Sequence, residues 1–458
     1  MRVISAGRPD SPSDHVTPYD RFAWNDCDVE RLLTTGKHER ELVAYFGAAE
    51  YRLLAKLAKR CERTPLRDGA PLVIVVPGIM GSQLGLRRPS PLPHDVLWLD
   101  PIDIGVGRLT ALQLPARAPI VPLGVVLFSY LRLKLHLRAG GFAPVFHDYD
   151  WRLEVSELGR ALAQRIDTAT ADRVMIVAHS LGGLVTRAAL TEASGDKVAR
   201  VVLLGTPNFG SFAPLQALRG TYAVVRKIAR LVSNGTAEAL AGGIFNTFPS
   251  LYQMLPVAAR TGGADLLDPA QWPRSAPQPD TALLRKARDL QSKLASPDER
   301  ICCVVGVGQE TVTAASRRGD EFVYTVTRHG DGTVPAVSAA LPGACNHYTR
   351  VAHSELTRDP VVAAAVRDLL RYGRTNRLPS TWQTHSLARA TVSDGQLQRM
   401  HTDKVDWAGL QPGERRDFLQ NLNEPPQLRL RVPGRKSVRG HPPGRKSARR
   451  HTSRRKLA

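Results

Sequence analysis

A chain of 458 residues, 43% of them apolar, can bury a large core and is long enough for two or three ordinary domains or for one large domain with insertions. Its formal charge of +21 is unevenly placed: twelve Lys/Arg and no Asp/Glu lie from Gln427 to the end, so a tail carries more than half of the excess. The opening "MRVISAGRPDSPSDHVTPYDR" has no apolar run of the signal-peptide kind, the longest apolar stretch (120–131) is broken by Pro122 and Gly124, and the five cysteines show no C-x-x-C spacing, which argues against a membrane span, a disulfide framework and a zinc site and leads to the expectation of a soluble, cytoplasmic chain with neither metal nor cofactor.

Within an N-terminal segment, 1–70, apolar residues at helical spacing around Leu42, Phe46, Leu54 and Leu57 predict one or two amphipathic helices over 28–63, interrupted near Gly36. "PLVIVVPG" (71–78) then has the β-branched density of a strand buried on both faces, the habit of parallel sheets. A helix over 125–139 stops at Gly140-Gly141, and "FAPVFHDYDWR" reads as the next strand. A helix from Val155 to Ile166, the strand "RVMIVA", a helix from Leu181 to Glu192 and the strand "RVVLLG" (200–205) continue the alternation, which predicts an α/β fold with a mostly parallel central sheet and right-handed crossovers.

From Thr206 to Glu299 the strand signal gives way to a mostly helical insertion. It returns at "ICCVVGV", where Cys302 and Cys303 read as strand packing, and at "EFVYTVT"; a helix over 360–372 closes a domain placed at 71–375. Residues 376–426 form an extension, polar with scattered aromatics, to which no role is assigned. The tail, 427–458, repeats "PGRKS" at 433 and 443 and has almost no large apolar groups, so its composition predicts disorder.

The stretch "VMIVAHSLGGL" (174–184) sets Ser180 where a strand turns into a helix. Such an elbow strains the serine backbone and projects Oγ above the sheet, and it needs small residues two before and two after. Gly182 satisfies the second position, and Ala178 exceeds the first by one methyl; the same letters also fit a serine N-cap followed by glycines. Downstream, Asp331 lies in "HGDGTVP" and His353 in "YTRVAHSEL", giving the chain order Ser, Asp, His of α/β hydrolases. In that chemistry His353 takes the Ser180 proton and Asp331 fixes the imidazole tautomer. His179 is directed away along the turn, His347 reads as packing, and Asp320 reads as a solvated charge in "SRRGDE". An oxyanion hole needs backbone N–H donors: Leu181 supplies one, and the loop "VVPGIMGSQL", with Pro77, Gly78 and Gly81, supplies the other.

Five ordered blocks, "VVPGIMGSQL", "YDWR" (149–152), "AHSLGG", "GTPNFGS" (205–211) and "GDGTVP" (330–335), resemble the lecithin:cholesterol acyltransferase-like α/β hydrolases, which include phospholipid:diacylglycerol acyltransferases and lysosomal phospholipase A2. "FPSLYQMLP" (248–256) resembles the end of that family's mobile cap. The resemblance implies an α/β-hydrolase fold, a Ser180–Asp331–His353 triad with an acyl-enzyme on Ser180, and oxyanion donors at Ile79 and Leu181. It further implies cap insertions at about 84–118 and 208–299 shaping a lipid groove, and a scaffold role for "YDWR" in which Asp150 and Arg152 form a structural ion pair. The expected function is a serine-dependent lipid O-acyltransferase or acyl hydrolase acting on a lipid or other acyl-ester substrate. The alternatives are a small-ester carboxylesterase, or a protein that binds anionic membrane or nucleic acid through its basic tail on a hydrolase scaffold.

Overall fold

A computed structural model describes residues 17, 19–20, 25–192, 197–233, 235–275, 277–383, 388–400 and 402–424. The basic tail lies outside the described residues. Six strands, β1 (Leu72–Val76), β5 (Ala143–Phe146), β6 (Val174–His179), β7 (Val198–Leu204), β8 (Ile301–Gly306) and β11 (Cys345–Thr349), form a wholly parallel sheet in the order β11-β8-β7-β6-β1-β5. Two small antiparallel sheets accompany it: β2 (Ser82–Leu86) between β3 (Asp95–Trp98) and β4 (Val121–Val125), and β10 (Glu321–Thr327) between β9 (Thr311–Arg318) and β12 (Ala390–Ser393).

The apolar run of β1 is explained by its two faces. Ile74 and Val76 point into a core with Leu158, Leu162 and Leu184, while Val73 and Val75 point into a second core with Leu133, Leu137 and Val366 of the helix Pro360–Tyr372. A central parallel strand covered on both sides has no polar face to show. Cys302 and Cys303 follow the same rule, one in each core.

The helix Leu127–Ala139 is likewise apolar on opposite sides. Leu133 and Leu137 face the sheet, and Leu127, Leu131 and Leu135 face an N-terminal arm. That arm is three helices, Asp26–Thr35, Glu39–Phe46 and Ala48–Arg63, where the sequence pattern suggested at most two; Gly36, at φ 73°, ends the first, and Gly47 separates the other two. Ion pairs of Lys134 with Asp26 and Glu30, and of Arg132 with Glu50, dock the arm along its length.

"EFVYTVT" is a strand, but it lies outside the parallel sheet. Gly319, at φ 60°, lets β9 fold back on β10 as a hairpin, and the third partner comes from the 376–426 stretch. The first cap segment mixes strands β2 and β3 with the helix Pro101–Gly105, whereas the second is built of short helices, among them Ala213–Leu218, Ala223–Leu231 and Pro249–Gln253.

The stretch after 376 packs against both arm and cap. Asp394 is 2% exposed and accepts from Tyr324 Oη at 2.6 Å, the Phe322 N–H at 3.1 Å and Arg219 Nε at 3.2 Å, tying β12 to β10 and to the cap. Lys404 Nζ donates to the carbonyls of Ala229, Val232 and Gly235, and Gln420 Nε2 donates to the Tyr45 carbonyl. Among the described residues no helix is long and apolar enough to cross a membrane.

Candidate active site

β6 turns into the helix Leu181–Glu192 at Ser180, whose φ is 53°. A non-glycine residue in the left-handed region stores strain that its surroundings must hold. Here the Ser180 N–H donates to the Leu204 carbonyl at 2.9 Å, and the Ser180 carbonyl accepts from Gly183 N–H at 2.9 Å. At Gly182 an added Cβ would lie 2.4 Å from the Pro77 carbonyl oxygen, so that position must be bare. Ala178 is fully buried between Val76 and Leu203, where its methyl finds room.

Asp331 follows β10 in a tight loop. Its Oδ1 accepts the N–H groups of Thr333 (2.9 Å) and Val334 (2.7 Å), which leaves Oδ2 for His353 Nδ1 at 2.7 Å. The His353 N–H also donates to the Asp331 carbonyl at 2.9 Å, so the two loops are joined through backbone and side chain together. Gly205, at φ 55°, lies directly behind the pair: an added Cβ there would fall 3.0 Å from both Asp331 Oδ2 and His353 Nδ1.

Ser180, Asp331 and His353 line one cavity of about 550 Å³, and Ile79 lines it with them. The Ile79 loop lies against the elbow, since a Cβ on Gly78 would come within 2.9 Å of Ser180 Cβ. Tyr149 Oη donates to the Pro77 carbonyl (2.7 Å), Trp151 Nε1 to the Ser82 carbonyl (3.0 Å) and Trp98 Nε1 to the Met80 carbonyl (3.1 Å), so three aromatic side chains hold this loop from outside. Leu181, the first residue of its helix, has an N–H without an intrahelical acceptor. Leu251 and Met254 of the cap give the cavity apolar wall, and Leu419 and Leu422 of the C-terminal stretch complete it.

His179, expected to point away along the turn, instead lines the same cavity beside His353, and the other candidates lie elsewhere or do other things. His347 is buried on β11, with Nδ1 toward the Leu378 carbonyl at 3.3 Å. Asp320 sits in the β9–β10 turn and accepts the Ser275 N–H. Asp150 and Arg152 make a two-point buried ion pair, at 2.8 and 2.6 Å, and Arg152 Nη1 also donates to the Leu112 carbonyl. Tyr149, Trp98, Gly205 and the 419–424 rim were not singled out by sequence. Tyr149 and Gly205 stood inside quoted blocks, so a signal existed; for Trp98 and the rim there was none.

Residues 145–284 match the family model of lecithin:cholesterol acyltransferase. Over those residues the chain is similar to that family, and its fold is that of the α/β hydrolases. The chain is also similar to solved structures: lipase BlEst2 of Bacillus licheniformis in mature form (15% identity, 67% of this chain and 94% of that chain, TM-score 0.36) and a chain of the Tle4–Tli4 complex (15%, 67% and 99%, 0.38). A third is phospholipase PlaB of Legionella pneumophila (11%, 77% and 63%, 0.30). No curated protein sequence matches it. The parallel sheet order and the mixture of strand-borne and loop-borne site residues are those of the α/β-hydrolase fold.

Burial sets an acid limit on this fold. Desolvation, aided by His353, lowers His179 to about 3; desolvation with Arg165 lowers His147 to about 4; desolvation with Arg367, Arg132 and Arg60 lowers His136 to about 4. Each group binds a proton in the unfolded chain, below about pH 6.5, that the folded chain refuses until about pH 3–4, so stability falls with pH across that window. Asp100, raised by burial to about 7, works in the opposite direction, because the folded chain takes up its proton first. The net uptake on unfolding near pH 5 is roughly two protons, at most about 3 kcal/mol per pH unit, and less because His136 is partly solvated. The urea midpoint is therefore expected to be lower at pH 5 than at pH 7.5; an equal or higher midpoint at pH 5 would show that these rings are not held neutral.

Proposed function

We propose that this chain is a serine-dependent lipid acyl hydrolase or O-acyltransferase that works through an acyl-enzyme on Ser180. The observation that carries the reading is the left-handed Ser180 elbow opening into the same cavity as the Asp331–His353 pair. In the acylation step Ser180 Oγ attacks the acyl carbonyl as His353 Nε2 removes its proton. The Nδ1–H bond to Asp331 keeps the imidazole in the tautomer whose Nε2 is free to accept. The oxyanion is met by the N–H groups of Ile79 and Leu181, each contributing roughly 3–4 kcal/mol to the transition state. His353 then gives its proton to the departing alcohol. Water or a second alcohol, deprotonated in turn by His353, releases the acyl group.

Support for a lipid rather than a small ester comes from the cavity, whose apolar wall continues from cap to C-terminal rim through Leu251, Met254, Leu419 and Leu422. The family model matched over 145–284 covers much of the cap. Peripheral contact with anionic lipid through the twelve Lys/Arg after Gln427 belongs to the same reading, on the ground of charge alone. The test is a fluorophosphonate labelling of the purified chain, followed by turnover of p-nitrophenyl esters from C2 to C16. Stoichiometric labelling at Ser180 with kcat/KM rising toward the long esters is expected. A maximum at C2 would make it a small-ester carboxylesterase, and no labelling at all would end the serine-hydrolase reading.

A further inference from the structure

His179 stands beside the nucleophile, is 9% exposed, and has no part in the acyl chemistry above. Its two ring nitrogens nevertheless touch the two halves of the site. Nε2 lies 3.1 Å from the carbonyl oxygen of His353, and Nδ1 lies 3.0 Å from the hydroxyl of Tyr130, on the helix Leu127–Ala139. That hydroxyl also accepts the N–H of Gly78 at 2.8 Å, next to Ile79. The ring planes of His179 and His353 are 4.8 Å apart at their centroids.

The donor and acceptor roles follow from elementary valence. A carbonyl oxygen can only accept, so Nε2 of His179 carries the proton. Burial keeps the ring neutral, which leaves Nδ1 bare and able only to accept. The Tyr130 O–H must then point at Nδ1, and its oxygen lone pair is free for the Gly78 N–H. One unbroken line of donors runs from Gly78 through Tyr130 and His179 to His353.

We propose that Tyr130 is a positioning residue for this site: its hydroxyl fixes the Nε2–H tautomer of His179 and thereby joins the Ile79 loop to the His353 loop. This inference rests on the hydrolase reading. Without the hydroxyl, Nδ1 has no donor, the ring is free to take the other tautomer, and the bond to the His353 carbonyl is lost. The Gly78 N–H loses its acceptor in the same change. Both the oxyanion side and the base side of the cavity are then loosened, while the acyl-binding wall is untouched. A shift of that kind lowers kcat and leaves KM alone.

The experiment compares wild type with Tyr130→Phe and His179→Gln. Long-range ¹H–¹⁵N spectra of histidine-labelled protein, with the His179 signals assigned by their absence from His179→Gln, report the tautomer. Wild type is expected to show His179 neutral and protonated on Nε2, and Tyr130→Phe to show a mixture or the Nδ1–H form. On a soluble ester, kcat of Tyr130→Phe is expected to fall about 10- to 100-fold with KM within about twofold. Because His179→Gln breaks the same line, the double variant should be little worse than either single one. An Nδ1–H tautomer in wild type, or wild-type kcat in Tyr130→Phe while wild type labels at Ser180, overturns the proposal alone. Failure of wild type to label at Ser180 overturns the hydrolase reading and this inference with it.

Discussion

Ser180→Ala is expected to abolish fluorophosphonate labelling and to lower ester turnover by a factor on the order of 10⁶, with the melting temperature within a few degrees of wild type. The change removes one oxygen from a residue that is 6% exposed, and leaves the backbone bonds to Leu204 and Gly183 in place. Alanine meets the same left-handed backbone that serine already occupies at φ 53°, so the strain is carried over rather than added. What is lost is the oxygen that, in the proposed mechanism, forms the acyl bond. Turnover persisting at a tenth of wild type in a folded Ser180→Ala protein would mean that another nucleophile serves the cavity.

The second large effect is expected from Asp331→Asn, a loss of about 10⁴ in kcat. The asparagine oxygen is drawn to the Thr333 and Val334 N–H groups that hold Oδ1, and this turns its NH₂ toward His353 Nδ1. An amide N–H in that place donates to Nδ1 and moves the ring proton to Nε2, where it blocks removal of the Ser180 proton. His353→Ala should cost at least as much. Combining either change with Ser180→Ala should lower the rate by no more than about threefold beyond Ser180→Ala itself, since the three groups act as a unit. Asp320→Asn, in the β9–β10 turn, is the control and should stay within about twofold of wild type. If it were the damaging change, the acid would have been assigned to the wrong loop.

The parallel sheet was legible because its strands are buried on both faces: "LVIVV" and "ICCVVG" leave no polar alternation to confuse with an edge strand. The elbow was legible because the turn restricts residue size on both sides of the serine. Asp331 and His353 were picked by their order along the chain, their place after predicted strands and the family resemblance, and not by any sign of contact, since the 2.7 Å bond between them joins two loops that follow different strands of different sheets. "EFVYTVT" shows the limit of periodicity, which finds a strand without naming its partners: the hairpin and the pairing with Ala390–Ser393 depend on a turn glycine and on a segment more than sixty residues away. Tyr130 was invisible for a related reason. On a helix apolar on opposite sides, one tyrosine among leucines reads as filler until its hydroxyl is seen between Gly78 and His179. The stretch after 376 looked featureless because its stabilising groups are spent singly: one buried carboxylate at Asp394, one lysine at three carbonyls, one glutamine on the arm.

That stretch has a mechanical consequence. Lys404 grips the end of the cap helix Ala223–Leu231 through three carbonyls, Arg226 of the same helix donates to the Met400 carbonyl at 2.7 Å, and some twenty residues farther on the chain supplies the rim of the cavity at Leu419 and Leu422. The cap helix therefore cannot swing outward as a free flap. Either the Lys404 and Arg226 attachments break, or the segment they hold is dragged along and pulls on the rim. Widening the entrance and reshaping its edge are one coupled displacement, whose stiffness is set by attachments to a segment more than two hundred residues beyond Ser180.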